Sequence, residues 1–325
     1  MNENPIKIKL FNTLSRKKEE LIPINDDIVS FYSCGQTVYE DVHVGNAKTY
    51  IVWDLLVRTL KHFGYKVKHV QNFTDVGHLT DDADTGEDKI AKRAKELKEH
   101  PMELVDRQIF QYYQFIDKIN INRPNLAPRA TAHIVEMIDL VKLLIERKHA
   151  YVHESSVYYD ISSFPDYGKL AKLDLDNLRA GARIHVIEGK KNPGDFALWI
   201  KAPKDHIMQY SSPWGKGYPG WHLECSVMAM KYLGETVDIH AGGIDHIPVH
   251  HTNEIAQSEG ATGKKFVNIW PHSGFITING EKMSKSKKNF YTLEEFLDKV
   301  GPGPARMTLM QFHYRTQSIK TFFRL

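Results

Sequence analysis

The sequence contains very little cysteine: Cys34 and Cys225 are the only thiols among 325 residues. Two thiols exclude a small fold held together by several disulfides, and no secretory signal precedes the first predicted strand, so we predict a cytoplasmic protein. Long apolar runs are also missing, because no stretch approaches the roughly twenty residues that a membrane-spanning helix needs. The sequence therefore predicts a protein with no membrane partner.

An excess of charge of one sign is lacking as well. The chain has 43 Lys and Arg against 40 Asp and Glu, a net charge of +3, whereas strong nucleic-acid binding usually comes with a clearer basic bias. Hydrophobic residues at 42% and charged residues at 26% are typical of a soluble globular chain of about two domains. We predict a monomer.

A phosphate-binding site is predicted where the first long strand meets the first long helix. The strand covers 28–33 and the helix about 46–63, and His43-Val44-Gly45-Asn46 lies between them. Free N–H groups and the helix dipole attract phosphate at such a junction, and Gly45 lets a nucleotide approach the backbone. We expect this segment to bind ATP.

A second segment, Lys282-Met283-Ser284-Lys285, lies on a lysine-rich loop. Lys282 and Lys285 can close over the same triphosphate and neutralise the charge that grows at the α-phosphorus. Each segment alone has an ordinary interpretation, a helix cap for the first and a solvated basic loop for the second. Their presence together favours an ATP-using enzyme.

These two segments resemble the HIGH and KMSKS signatures of class I aminoacyl-tRNA synthetases. Asn46 stands where the second histidine of the first signature often lies, and its amide can still hydrogen-bond a nucleotide. The resemblance implies catalysis by positioning and charge stabilisation, with Mg²⁺ bound alongside ATP. The implied catalytic residues are His43, Asn46, Lys282 and Lys285, and the implied ATP-binding residues add Gly45, Met283 and Ser284.

Four side chains of metal-ligand type stand at key points of the pattern. Cys34 ends the first strand, and Cys225 ends the segment Gly220-Trp221-His222-Leu223-Glu224-Cys225. His250 and Glu254 are four residues apart on a predicted helix and so share one face. Two separated cysteines are usually buried apolar fillers, but this set of four is suited to zinc. His251 is the nearest competing ligand, although only His250 has the four-residue spacing to Glu254.

This set resembles, residue by residue, the zinc site of the cysteinyl-tRNA synthetase family, where one zinc ion per chain recognises the thiol of the substrate. Zinc binds a thiolate at roughly 2.3 Å, whereas the hydroxyl of serine is a much poorer ligand. The resemblance implies that L-cysteine is activated with ATP to cysteinyl-adenylate and transferred to the acceptor end of cysteine tRNA. Such selectivity requires no hydrolytic editing site.

Further substrate contacts follow from the same resemblance. Asn72-Phe73-Thr74-Asp75 follows a predicted strand over 67–70, which places Thr74 at the carboxyl edge of a parallel sheet, where ligands favour binding. Trp221 and His222 are expected to form the wall around the bound cysteine.

Two more residues are expected to receive the nucleoside part of ATP. Gly243 and Asp245 follow a predicted strand over 237–240, so the glycine could let adenine approach while the carboxylate bonds a hydroxyl or amino group. Either segment alone would be ordinary turn chemistry. Beside the two signatures, we interpret them as binding residues.

The predicted fold class is α/β, a Rossmann-like parallel nucleotide-binding domain split by a connective insertion and followed by the start of a helical stem-contact region. Acidic residues around 78–88 resemble a smaller insertion within the first half. The predicted divisions are residues 1–122 for the first half, 123–205 for the insertion, 206–280 for the second half, and 281–325 for the lysine-rich loop and the start of the stem-contact region.

Members of this family continue into a helical anticodon-binding domain, for which we expect no room in this chain. Two alternatives to tRNA charging stay open. A cysteine:amine ligase of the mycothiol-ligase type would share zinc and adenylation but use an amino sugar, and a non-catalytic zinc-containing paralogue would bind RNA or regulate. The segment His313-Tyr314-Arg315 resembles the start of the stem-contact region and favours the tRNA reaction.

Overall fold

The structure is a computed structural model that describes most of the chain. An N-terminal hairpin of β1 (Lys9–Asn12) and β2 (Lys17–Glu20) precedes the central sheet. The described residues are 6–25, 28–80, 86–173, 190–204, 206–278, 281–282 and 292–316.

The central sheet is parallel in all its described strands, and it is assembled from two distant parts of the chain. Its strands are rich in Val, Ile and aromatic residues because both faces are buried. The strands are β3 (Ile28–Thr37), β4 (Lys66–Thr74), β10 (Val237–Gly243), β11 (Val267–Ile269) and β12 (His272–Ser273). Their order is β11-β10-β3-β4, with β12 also paired to β10.

Helices connect and cover these strands. The described helices are α1 (Val44–His62), α2 (Lys89–Leu97), α3 (Pro101–Lys118), α4 (Ile134–Glu146), α5 (Trp221–Leu233), α6 (His250–Thr262), α7 (Leu293–Val300) and α8 (Pro302–Met310). The first of them links β3 to β4, as a parallel pair requires. The predicted α/β fold class is confirmed, and the predicted helix over 46–63 begins two residues earlier than expected. Among the described residues, no helix combines the length and the apolar character that crossing a membrane requires.

A second sheet is antiparallel and lies between the two parts of the parallel sheet in sequence. Its order is β5-β6-β7-β9-β8. The strands are β5 (Ala150–His153), β6 (Ser156–Tyr159), β7 (Phe196–Lys201), β8 (Tyr210–Ser212) and β9 (Gly215–Pro219). Two short strands, β13 (Thr277–Ile278) and β14 (Glu281–Lys282), form a separate hairpin near the end of the chain.

The change from the antiparallel to the parallel sheet comes later in the chain than the sequence suggested. The predicted division fell between 205 and 206, but β9 pairs with β7 and β8 pairs with β9, so the antiparallel sheet continues to Pro219. The sequence analysis assigned residues 206–280 to the second half of the parallel domain, because the pairing of β9 with the distant β7 leaves no local pattern. The domain boundaries themselves stay a prediction.

An irregularity in β3 positions the first predicted metal ligand. The register between β3 and β4 shifts between Ser33 and Gln36, so Cys34 and Gly35 lie at the shift, and such irregularities re-aim side chains. Gly35 is needed there because a Cβ atom would lie 1.7 Å from the carbonyl oxygen of Asn72. The side-chain oxygen of Asn72 accepts a hydrogen bond from the Gly35 backbone N–H at 3.0 Å. The two strands are therefore locked together beside Cys34.

Candidate active site

A cavity of about 360 Å³ opens at the carboxyl ends of the parallel strands. Ligands of open parallel α/β sheets bind at this edge. Most of the described residues that the sequence predicted to bind ATP, substrate or metal line it: Cys34, His43, Gly45, Asn46, Thr74, Trp221, Cys225, Gly243, Asp245 and His250. Side chains far apart in sequence thus meet in one cavity large enough for a small ligand.

His43 and Asn46 cap the N-terminus of α1 reciprocally. The backbone N–H of Asn46 donates to His43 Nδ1 at 3.2 Å, and the backbone N–H of His43 donates to Asn46 Oδ1 at 3.3 Å. Because Nδ1 accepts, a neutral His43 carries its proton on Nε2, which makes Nε2 a donor. The helix cap and the nucleotide site, considered as alternatives in the sequence, are therefore compatible in one geometry, since the cap presents donors at a positive helix end.

The predicted zinc ligands come together at the inner end of the cavity. One ligand-type atom from each of Cys34, Cys225, His250 and Glu254 lies within 4.8 Å of the others. All four side chains are buried, at most 7% exposed. Cys34 comes from the end of β3, Cys225 from the second turn of α5, and the other two from the first turns of α6. Two sulfurs, one imidazole and one carboxylate form a donor set that suits zinc.

Glu254 provides the test of whether a cation fits. Its Oε2 lies 2.7 Å from His240 Nε2, which fixes the carboxylate. Its Oε1 is fully buried and accepts no hydrogen bond from any residue that the structure describes, although His250 Nε2 lies 3.1 Å away in unsuitable geometry. A buried carboxylate oxygen without a hydrogen bond is costly, and a divalent cation between these atoms would satisfy it. The residues present therefore fit a zinc ion.

The electrostatics around Cys34 favour a thiolate. Burial raises the pKa of this thiol. The hydrogen bond with Cys225 and the nearby His251 and His246 lower the pKa by more than burial raises it, so it lies well below its ordinary value. Burial and the Cys34 thiolate together raise the pKa of Cys225 well above its ordinary value. A thiolate is the form that binds a metal. The sulfur of Cys34 thus favours the form that a metal ligand requires.

A second set of potential ligands overlaps the first. Cys34, His240, His251 and Glu254 also offer atoms within 4.8 Å of one another. His251 is engaged at both nitrogens, by His272 Nε2 at 2.8 Å and by Cys34 Sγ at 3.2 Å. Cys34, Cys225 and His250 line the cavity, whereas His240 and His251 do not. A metal that contacts a substrate in the cavity is therefore better bound by Cys34, Cys225, His250 and Glu254.

Trp221, which the sequence analysis expected beside the amino acid, lines the cavity. Its ring stacks on His78 at 4.0 Å and on His250 at 4.2 Å between centroids. Thr74 also lines the cavity, and its Oγ1 accepts a hydrogen bond from Asn72 at 3.2 Å. This part of the cavity is therefore aromatic on one side and polar on another.

The placement of His222 differs from the sequence prediction. It was expected on the wall, but it is 3% exposed and does not line the cavity. Its Nδ1 lies 2.8 Å from His250 Nδ1 instead. On a helix, neighbouring residues point in different directions, so Trp221 and His222 cannot both face the cavity. His222 therefore contacts the predicted ligand rather than the substrate.

The second ATP signature is described only in part. The backbone of Lys282 lies in β14, opposite Thr277. The other predicted residues, Met283, Ser284 and Lys285, lie outside the described part of the chain. Beyond them, the Leu293 backbone N–H donates to the Val42 carbonyl at 2.9 Å, directly before the first signature. The described chain thus returns to the N-terminus of α1 after the second signature.

The chain matches the family model described as tRNA synthetases class I (C) catalytic domain over residues 20–320. The chain belongs to this family. A cysteine–tRNA ligase of Treponema denticola is 51% identical over 313 residues, which are 95% of this chain and 64% of the relative. The corresponding ligase of Thermus thermophilus is 49% identical over 307 residues, 94% of this chain and 64% of the relative. The chain thus spans about 64% of the length of these family members.

Solved structures show the same fold at low sequence identity. A Mycobacterium tuberculosis methionyl-tRNA synthetase in complex with methionyl-adenylate has a TM-score of 0.68 at 15% identity, covering 90% of this chain and 66% of that one. A putative arginyl-tRNA synthetase of Campylobacter jejuni has a TM-score of 0.56 at 14% identity, covering 90% and 65%. These two structures thus share the overall fold of this chain.

Sequence reasoning missed several residues of the site. His240 fixes the carboxylate of Glu254, His78 stacks on Trp221, and the segment 273–276 lines the cavity. His240 could have been found, because it lies near the carboxyl end of a predicted parallel strand. His78 could not, because it was interpreted as the start of an acidic insertion. In the structure, Leu79 and Asp88 pair as the base of that segment, and Asp88 caps α2.

Proposed function

We propose that the chain activates L-cysteine with ATP to cysteinyl-adenylate and transfers the cysteinyl group to the 3′ end of cysteine tRNA. The observation that carries the proposal is that four buried side chains of zinc-ligand type cluster together, and three of them line the same cavity as the N-terminus of α1. The relatives named cysteine–tRNA ligase support the choice of substrate. We also propose that the chain acts in the cytoplasm and as a monomer.

The proposed ligands of one zinc ion are Cys34, Cys225, His250 and Glu254. Bound there, zinc would hold the thiolate of cysteine and bind the hydroxyl of serine poorly. Trp221 and Thr74 would border the amino acid, since both line the cavity beside these ligands. Selectivity would thus arise at binding, without an editing step.

In the proposed first step, a carboxylate oxygen of cysteine attacks the α-phosphorus of ATP. The bond from this phosphorus to the bridging oxygen breaks, and pyrophosphate leaves. His43 Nε2–H, Asn46 and the N-terminus of α1 would stabilise the phosphate charge, together with Mg²⁺, Lys282 and Lys285. Gly45, Met283 and Ser284 complete the proposed ATP contacts, and Gly243 and Asp245 would hold the nucleoside. A ribose hydroxyl of the tRNA then attacks the cysteinyl carbonyl, and AMP leaves.

The test is ATP–pyrophosphate exchange with cysteine or serine, followed by transfer of labelled cysteine with and without total tRNA. We expect exchange with cysteine to exceed that with serine by at least about 10⁴-fold, because a site built around one specific bond rejects the analogue strongly. Comparable exchange with both amino acids would remove the proposed role of the metal. Robust adenylate formation with no labelled tRNA would instead favour a small amine as the acceptor.

A further inference from the structure

Lys48 is a buried lysine that pairs with no carboxylate among the described residues. It lies on α1, two residues after Asn46, and is 1% exposed. Burial lowers the pKa of its ammonium group to about 8. Removing an ammonium from water is costly unless hydrogen bonds compensate for it. The partners of Lys48 therefore indicate what the residue does.

Lys48 donates to three backbone carbonyl oxygens from two separate segments. The distances from Nζ are 2.8 Å to Gly274, 3.0 Å to Thr316 and 3.3 Å to Phe275. An ammonium group has three N–H donors, so these three contacts engage all of them. Lys48 therefore acts through the backbone that it holds, and not by direct contact with a ligand.

One of these two segments, residues 273–276, forms part of the cavity wall and is called the wall segment here. It lines the same cavity as His43 and Asn46. A second bond links it to α1, since Thr49 Oγ1 lies 3.0 Å from Ser273 Oγ. The backbone N–H of Gly274 also donates to the Tyr314 carbonyl at 2.8 Å. The wall segment thus lies between α1 and the turn at 313–316.

Gly274 makes this arrangement tight. A Cβ atom at this position would lie 2.7 Å from the Thr316 carbonyl oxygen and 2.9 Å from that of Arg315. The wall segment and the turn at 313–316 therefore approach so closely that only glycine fits at position 274 without a shift. Lys48 supplies the positive charge toward which their carbonyl oxygens converge.

We propose that Lys48 is a positioning residue that holds the wall segment against α1 and so sets the width of the nucleotide-binding part of the cavity. The inference rests on the proposed function for its substrate, ATP. Without the ammonium group, the carbonyl oxygens of Gly274, Phe275 and Thr316 lose this partner, and the wall segment moves away from the helix that carries His43 and Asn46. The cysteine-binding end, formed around Cys225 and Trp221, is not held by these bonds.

The test compares Lys48→Met, Lys48→Arg and the control Lys61→Met, which removes an exposed lysine from the same helix. Steady-state exchange is measured over a range of ATP and cysteine concentrations. We expect Lys48→Met to lower kcat/KM for ATP by about 10- to 100-fold, as a displacement near 1 Å does, and to change KM for cysteine much less. Lys48→Arg should recover most of the loss because it retains the charge, and Lys61→Met should match the unaltered chain.

Hydrogen exchange measured by mass spectrometry gives a readout that does not depend on activity. In Lys48→Met, peptides containing Gly274 should exchange faster than in Lys61→Met, because the N–H of Gly274 is bonded within the affected junction. Two results together would separate this inference from the proposed function: no ATP–pyrophosphate exchange by the unaltered chain, and faster hydrogen exchange at Gly274 in Lys48→Met. The proposed function would then fail, and the structural role of Lys48 would stand.

A folded Lys48→Met variant with unaltered kcat/KM for ATP would overturn the inference. If Lys48→Met does not fold, Gly274→Ala decides, because it strains the same junction and leaves the lysine in place. We then expect the same selective loss for ATP. A folded Gly274→Ala variant with normal ATP kinetics would equally overturn the proposal.

Discussion

His222 Nδ1 lies 2.8 Å from His250 Nδ1, and both imidazoles are almost completely buried. One of the two nitrogens must carry the proton. If His250 offers Nε2 to a metal, its Nδ1 is protonated and donates to His222, which fixes the orientation of the proposed ligand. His222 then affects the metal without touching it.

Replacing His222 with alanine should therefore weaken zinc binding by about 10- to 100-fold, the usual effect of losing a partner behind a ligand. The measurement is competition for zinc with a graded series of chelators. His62→Ala is the control, because this exposed histidine lies at the far end of α1. Equal zinc affinity in both variants would mean that the contact between the two histidines does not orient a ligand.

The choice between the two overlapping ligand sets can be tested with Cys225→Ala and His251→Gln. Cys225 belongs only to the first set and His251 only to the second. We expect Cys225→Ala to lose zinc during dialysis. We expect His251→Gln to lower zinc affinity by only about 10- to 100-fold, because His251 would contact a ligand and not the metal. The reverse order, with zinc retained by Cys225→Ala, would assign the metal to the second set.

Gly35→Ala should disturb the metal site through the backbone. Its Cβ atom would lie 1.7 Å from the Asn72 carbonyl oxygen, so β3 and β4 must separate beside Cys34. We expect a loss of at least about 3 kcal/mol in the free energy of unfolding, in the range of severe strain, with reduced zinc content. The matched control is Gly303→Ala on α8, where no atom of the described segments lies within 4 Å of the added Cβ. Similar stability of the two variants would contradict the close approach of these strands.

Asp54→Asn should test how α8 is held to α1. Asp54 is 3% exposed and accepts from Arg306 Nη2 at 2.6 Å, from Arg58 Nε at 2.8 Å and from the Asn122 backbone N–H at 3.0 Å. Removing this carboxylate charge should cost about 1.5 to 3 kcal/mol in the free energy of unfolding, because Asp54 loses charged hydrogen bonds while the side chains of Arg306 and Arg58, 15% and 36% exposed, keep access to water. In urea unfolding, Glu136→Gln should cost less than about 1 kcal/mol, since its pair with Lys231 is partly exposed. Equal losses in the free energy of unfolding for Asp54→Asn and Glu136→Gln would mean that Asp54 does not hold α8 to α1.

His69 should make the chain sensitive to mild acid. Burial lowers the pKa of this histidine to about 3, below the ordinary value near 6.5 that it regains on unfolding. Between these values the unfolded state binds more protons, so stability falls as the pH falls from 6.5 towards 3, by up to about 1.4 kcal/mol per pH unit. Urea unfolding of His69→Gln between pH 6.5 and 4.5 should give a shallower slope. An unchanged slope, with exposed His62→Gln as the control, would mean that His69 is protonated in the folded state.

The sequence predicted much of this site because its chemistry depends on local patterns. The first signature lies between a strand and a helix, and periodicity alone placed both. His250 and Glu254 share a helical face, which spacing alone predicts. The contacts of Lys48 and of His222 could not be predicted, because they join segments about 28 to 270 residues apart whose packing no local pattern encodes. The late end of the antiparallel sheet was missed for a related reason, since pairing of β9 with β7 depends on a distant partner.

The long separation in sequence between Cys34 and Glu254 also determines when this site can exist during synthesis. Cys34 belongs to β3, while Glu254 belongs to α6 and is about 220 residues further along the chain. At roughly 5 to 20 residues per second, the ribosome completes the ligand set about 10 to 45 s after Cys34 is made. β10, the neighbour of β3 in the finished sheet, is also made only after the strands of the antiparallel sheet. The time at which a nascent chain binds zinc would therefore report when its early and late halves first come together.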